Sequence, residues 1–223
     1  MKRRRPIVAI DGPVGAGKST VALQLARELG FTYVNTGAMY RAVALAARAQ
    51  GIDPAAASAA ERLEKMLATL RLEVDGPRLM LDGRDVTGEL GEPALGDLAS
   101  RLSTLAVVRA RMRELQRAAG EHGGVVMEGR DIGTAIFPDA EFKFYLDADP
   151  RERAERRARE LAANGVKCTV EEALQALLER DRRDRERPLA PLRQADDALV
   201  IDSTGLAVKE VVARLSAVVK SRL

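Results

Sequence analysis

Short apolar runs alternate with longer amphipathic stretches over most of the chain. Pro6-Ile7-Val8-Ala9-Ile10, Phe31-Thr32-Tyr33-Val34, Gly124-Val125-Val126-Met127-Glu128, Glu141-Phe142-Lys143-Phe144-Tyr145-Leu146-Asp147 and Ala198-Leu199-Val200-Ile201-Asp202 read as strands, at about 7–11, 31–34, 124–128, 142–147 and 198–202. They are short and rich in β-branched and aromatic residues. Helical spacing fills the intervals at 20–29, 38–50, 61–70, 92–103, 106–121, 150–163 and 170–186. At the end, Val208, Val211, Val212, Leu215, Val218 and Val219 space themselves along one helical face. Gly30 and Gly51 are helix stops. Strands alternating with helices predict a parallel sheet covered on both faces. Right-handed crossovers then gather the loops at the strands' carboxyl ends. The loop after Ile10, Asn35-Thr36-Gly37, Glu128-Gly129-Arg130-Asp131 and the Asp147 end should therefore share one crevice.

One interval breaks the alternation. Arg71–Asp75, Arg78–Asp82 and Gly83–Val86 follow period two between turn signals, with Gly76-Pro77 in the first turn. That is a small antiparallel meander, foreign to a doubly wound sheet, so 61–104 reads as part of an insertion.

Composition narrows the class. The chain has 223 residues, enough for one α/β domain with insertions, and 46% are hydrophobic, enough for a real core. Only 3% are aromatic, so that core must be built from Leu, Val, Ala and Ile. A net charge of +3 amid 31% charged residues argues against a nucleic-acid-coating surface. Cys168 is the single cysteine, which excludes an internal disulfide and a cysteine-based zinc site and fits a reducing cytosol. His122 is the single histidine, which argues against a catalytic triad. No apolar run is long enough to span a membrane. Met1-Lys2-Arg3-Arg4-Arg5 reads as a solvated tail, since Asp11 interrupts the apolar stretch behind it.

The candidate chemistry begins at Gly12-Pro13-Val14-Gly15-Ala16-Gly17-Lys18-Ser19, a full match to G-x-x-x-x-G-K-[ST] between a strand and a helix. Glycines let the backbone approach a phosphate, and successive N–H groups with the helix N-terminus form an anion nest. Lys18 would reach the β- and γ-phosphates, and the Ser19 hydroxyl is placed to ligate Mg2+. A kinase for a phosphorylated acceptor needs a second set of cations. Arg153, Arg156 and Arg157 share a helical face and could cover a nucleotide, or they could form a solvated face stitched by Glu152, Glu155 and Glu160. Arg180, Asp184 and Arg187 likewise share a face, read equally well as a site or as a salt-bridged surface. Arg41, Arg109 and the Glu128–Asp131 cluster add charge near predicted loops.

Taken together, the phosphate loop with Thr20, Thr36-Gly37-Ala38-Met39-Tyr40-Arg41, Gly129-Arg130-Asp131-Ile132-Gly133-Thr134, Phe137-Pro138-Asp139-Ala140, Arg180–Arg185 and Asp202-Ser203-Thr204 closely resemble the bacterial cytidylate kinases. The resemblance runs from the first strand to the last helix. It implies a P-loop fold with a five-stranded parallel sheet, a helical lid and an antiparallel insertion enlarging the acceptor region. It also implies a single kinase chain with core at about 1–35, 105–148 and 188–223, insertion at 36–104 and lid at 149–187. The implied reaction is ATP plus CMP (or dCMP) to ADP plus CDP (or dCDP), with Mg2+. Carried over by motif, Gly12 to Thr20 would hold ATP, with Arg153 and Arg157 over it. Thr36, Arg41, Ser100, Arg109, Arg130, Asp131, Arg180, Asp184 and Arg187 would hold the acceptor. Lys18, Arg130, Asp131 and Arg187 would be catalytic. Some members carry Asp at the Glu128 position and some carry Gly at the Ser19 position. A cytoplasmic monomer is the expectation, with no membrane or nucleic-acid partner. Another small acceptor (AMP, UMP or shikimate) and a slow nucleotide-dependent switch remain as alternatives.

Overall fold

The structure is a computed structural model, which describes residues 3–163 and 165–222. Strand β1 (Ile7–Asp11) lies at the centre of a parallel sheet, between β6 (Val125–Glu128) and β7 (Phe142–Asp147). Outside them pair β2 (Thr32–Asn35) and β8 (Leu199–Asp202), so the order is β2-β6-β1-β7-β8. The register sets Ile7 beside Val125, and Val8 beside both Val126 and Phe142. Side-chain alternation along β1 feeds two cores: Ile7 and Ala9 enter one apolar cluster, Val8 and Ile10 the other. Every residue of β1 is buried, and this is why Ile7 to Ile10 read as an unbroken apolar run.

Helix α1 (Lys18–Leu29) and α8 (Val208–Lys220) cover one face. The other carries α2 (Thr36–Ala49), α3 (Ala59–Thr69), α4 (Pro93–Leu102) and α5 (Ala106–Gly120). The expected meander is present as β3 (Leu72–Asp75), β4 (Arg78–Leu81) and β5 (Arg84–Asp85). Its Leu72, Leu79 and Leu81 join the same cluster as Ile7, so this insertion shares a core with the sheet. A packed pair of long helices, α6 (Pro150–Ala163) and α7 (Val170–Glu186), has a small cluster of its own around Ala154, Ala173 and Leu177.

The helix starts differ from expectation for local reasons. Gly17, at φ +88°, turns the chain directly into α1, so Lys18 rather than Thr20 is its first residue. The Asn35 side chain accepts the Ala38 N–H at 2.8 Å and starts α2 at Thr36. The solvated-tail expectation holds in that Arg4 and Arg5 are exposed, and needs correction in that Arg3 and Arg5 are engaged; Met1 and Lys2 lie outside the described residues. Arg3 pairs with Asp139 at 2.8 Å and lies over the Phe137 ring. Arg5 lies over Phe31 and donates to the Gly30 carbonyl at 2.9 Å. Both fasten the chain to the amino ends of the strands. Among the described residues, no helix is long and apolar enough to cross a membrane.

Candidate functional site

The carboxyl ends of the strands open into one cleft of about 920 Å³. Its donor side is the phosphate loop. Gly12, at φ +146°, lies where an added Cβ would come 2.0 Å from the Leu146 carbonyl, so no other residue fits under the loop. Gly12 and Pro13 form this buried base, while Val14 through Thr20 line the cleft. Lys18 is buried, and its Nζ donates to the Pro13 carbonyl at 2.6 Å, so the ammonium lies across the loop. Burial lowers its pKa from 10.5 to about 7, Arg130 adds to the fall, and Glu128, Asp181 and Asp11 oppose it.

Beside Lys18, the Ser19 hydroxyl donates to Glu128 Oε1 at 2.5 Å. Tyr33 donates to the same oxygen at 3.2 Å and accepts from Asn35 Nδ2 at 3.0 Å. Burial, then the Glu128 charge, pushes the Tyr33 phenol well above its ordinary range. One hydroxyl and one fixed carboxylate next to a phosphate nest are the kind of donors that Mg2+ uses when most of its shell is phosphate and water. Among the described residues, no three acidic, His or Cys side chains converge as a self-sufficient metal site.

Across the cleft, on the side where the acceptor was expected, is a lattice of carboxylates shared between arginines. Asp131 Oδ2 accepts from Arg109 at 2.5 Å and its Oδ1 from Arg187 at 3.1 Å. Asp184 Oδ2 accepts from Arg130 Nε at 2.8 Å. Burial would raise the Asp184 pKa, but Arg130, Arg180 and Arg187 together hold it below its ordinary value. Asp11 supports the same region from below. Its two oxygens accept the Ile132 and Gly133 N–H groups at 2.8 and 2.7 Å, at the start of a π-helical turn (Ile132–Ile136). Burial raises its pKa to about 7 against those two bonds.

Two cations in the cleft lack such partners. Arg180 and Arg41 carry buried Nε atoms with no hydrogen-bond partner, and so does the Ser100 hydroxyl. Burial, with Arg130 adding, lowers the Arg180 pKa to about 10, while Asp184 opposes. Burial likewise lowers Arg41, against Glu128. Uncompensated guanidinium in a half-buried cleft calls for an anion. Thr36, Arg41, Ser100, Arg130, Asp131, Arg157, Arg180, Asp184 and Arg187 all line this one cleft.

Two expected ligands stand elsewhere. Arg109 is held behind the lining by Asp131 and the Ser103 carbonyl. Arg153, expected over the donor, is buried behind the phosphate loop in a 2.6 Å pair with Asp181. Helical spacing placed it beside Arg157, but the packing of α6 on the loop takes it from solvent. Its neighbour Arg156 lines the cleft instead, donating to the Ser203 carbonyl at 2.7 Å and to Glu152 at 2.5 Å. Sequence reasoning passed over Asp11, Tyr33 and Asp181, which stand behind the lining and hold residues of the site in place. A signal existed for Asp181: it continues the buried Ala173–Leu177 stripe of α7 at helical spacing, where an acid needs a partner.

The cytidylate kinase family profile matches residues 8–221. A cytidylate kinase of Pelotomaculum thermopropionicum is 49% identical over 218 residues, covering 95% of this chain and 96% of that protein. One of Geobacter sulfurreducens is 46% identical over 221 residues, covering 99% and 95%. Among solved structures, an uncharacterized protein from Eubacterium ventriosum aligns with TM-score 0.56 at 14% identity, over 98% of this chain and 100% of that one. A Thermus thermophilus protein aligns with TM-score 0.51 at 23% identity, over 98% of each chain. These two bear on the fold alone. The profile and the nearly full-length relatives decide more, and the chain belongs to the cytidylate kinase family.

Proposed function

We propose that the cleft transfers the γ-phosphoryl of ATP to CMP or dCMP, giving CDP or dCDP. The observation that carries this reading is the pair of unpartnered guanidiniums, Arg41 and Arg180, facing a complete phosphate nest. A site for one nucleotide alone has no use for a second set of cations. ATP phosphates take the N–H groups of the loop, and Lys18 leaves the Pro13 carbonyl to meet them. The acceptor phosphate takes Arg41, Arg130 and Arg180, while Thr36, Ser100, Asp131, Asp184 and Arg187 hold sugar and base. The acceptor oxygen then attacks in line, with no phosphoenzyme, and the surrounding arginines and Lys18 neutralise charge on the moving phosphoryl group. Ser19 and Glu128 would hold Mg2+, which when bound supplies charge neutralisation between the phosphates. The α6–α7 pair, as a lid, excludes water that would otherwise consume ATP. Because one chain supplies both halves of the cleft, the reading is of a monomer. Its partners are two small nucleotides, with no nucleic acid or membrane, and its place is the cytoplasm.

An ADP-release assay over CMP, dCMP, UMP, AMP and shikimate tests the reading. Turnover should be fastest with CMP or dCMP. Preference for another acceptor would overturn the substrate assignment, and acceptor-independent hydrolysis would favour a switch.

A further inference from the structure

Arg153 and Asp181 stay outside the cleft lining, yet they grip its donor loop. Asp181 is fully buried, and its Oδ1 accepts the Val14 N–H at 3.1 Å. Its Oδ2 accepts from Arg153 Nη1 at 2.6 Å, and the same nitrogen donates to the Val14 carbonyl at 2.8 Å. Arg153 Nε is anchored on the Ala148 carbonyl at 3.1 Å, just after β7. Both backbone groups of one phosphate-loop residue are thus tied to a single ion pair. The Val14 side chain enters the small α6–α7 apolar cluster, and Gly15 sits so close to α6 that a Cβ would lie 3.3 Å from the Arg153 carbonyl. A buried ion pair contributes little net stability compared with apolar residues of similar volume. Its evident effect is to fix where Val14 stands relative to α6 and α7.

The position of Asp181 on α7 gives that fixation a consequence. Arg180 precedes it and Asp184 follows within one turn, and both of these line the cleft on the acceptor side. One rigid helical turn therefore holds the donor loop and the acceptor clamp at once. We propose that the Arg153–Asp181 pair is a positioning element that couples the two nucleotide sites. An acceptor that engages Arg180 and Asp184 sets α7, and α7 through Asp181 sets the Val14 backbone, from which the loop continues into the N–H groups that the donor phosphates meet. Coupling of this kind is reciprocal: each nucleotide tightens the other by the same factor. The inference rests on the two-nucleotide reading above.

Calorimetric titration of the full chain tests it, using an ATP analogue with a non-hydrolysable β,γ-imido bridge, with and without saturating CMP. In the unaltered protein CMP should tighten analogue binding by about 5-fold or more. In the double variant Arg153→Met/Asp181→Leu, which fills the space with apolar side chains, CMP alone should bind as before while that factor falls to about one. Asp181→Asn keeps an acceptor for the Val14 N–H but loses the ion pair. It should show a reduced factor, which keeps the idea testable if the double variant does not fold. An unchanged factor in a folded variant overturns the proposal. So does a parallel loss of both affinities with their coupling intact, the mark of a merely structural role. If both ligands bind the unaltered protein independently, the coupling fails and the two-nucleotide reading survives. If CMP does not bind at all, the reading itself fails.

Discussion

On the proposed reading, the donor and acceptor halves of the cleft recognise phosphate by different means. The donor half is largely backbone, one contiguous loop whose N–H groups and helix end are arranged by local geometry. The acceptor half is almost wholly side chain, with arginines from α5, the loop after β6 and the residue that ends α7 meeting through shared carboxylates. A backbone nest is formed whenever the loop folds. An arginine lattice holds its charges only as well as its counter-ions match them, and here Arg41 and Arg180 are left over. On that reading the first half binds a group common to many reactions, and the second half selects the reaction.

The donor half should fail most completely when its one essential side chain is removed. Lys18→Ala should lower turnover by about a hundredfold or more, with the fold intact by circular dichroism. Near-normal turnover would mean that the loop does not hold the transferring phosphoryl group.

The acceptor half should show a trade that the donor half does not. Arg180 is held at a cost, since burial and Arg130 disfavour its charge. Arg180→Met should therefore raise the thermal stability of the free protein, by about 1–3 kcal/mol, while raising KM for CMP more than KM for ATP. Differential scanning calorimetry beside steady-state kinetics reads both effects. A loss of stability would show that Arg180 is structural.

How far these halves were visible in the sequence follows from the same difference. The phosphate loop and its flanking strand and helix are written in consecutive residues, and the central strands are short apolar runs. The lattice depends on which distant segments meet. Asp184 and Arg187 could be placed on one helical face, but their partners Arg130 and Asp131 lie more than fifty residues away. Here the family resemblance supplied what spacing did not. Spacing put Arg153 and Arg157 together, yet it does not say what covers a helix, and the phosphate loop covers Arg153. The bond from Tyr33 to Glu128 joins neighbouring strand ends and leaves no local trace. The basic N-terminus looked solvated because the aromatic rings under Arg3 and Arg5 are far along the chain.

Protonation separates the halves more gently. Lys18 has a folded-state pKa of about 7 against an ordinary 10.5. Between those values the folded chain binds fewer protons than the unfolded one, so the Lys18 contribution to stability rises with pH across that window. Triphosphate beside the ammonium reverses the shift. At ~pH 8, ATP binding should take up a fraction of a proton, seen as a dependence of the calorimetric heat on buffer ionisation enthalpy. CMP binding should show less uptake, and equal uptake for both would place the titrating group outside the donor loop.

The smallest effect is expected at the far end of the sheet. Arg3 precedes β1, whose opposite end leads into the phosphate loop, so it lies at the amino ends of the strands. Its partner Asp139 is largely exposed, and Glu141, a second partner at 3.5 Å, also accepts the Ile7 N–H at 2.8 Å. An ion pair this open to water contributes about 0–1 kcal/mol, and the contact with Phe137 adds about 0.5–1 kcal/mol. Arg3→Ala should therefore lower stability by about 1 kcal/mol and leave kcat and both KM values unchanged. Because β1 is paired on both sides and buried throughout, loosening its entry should not reach its exit. A change in KM for ATP in this variant would show that the position of β1, and not the loop's own geometry, sets the donor nest.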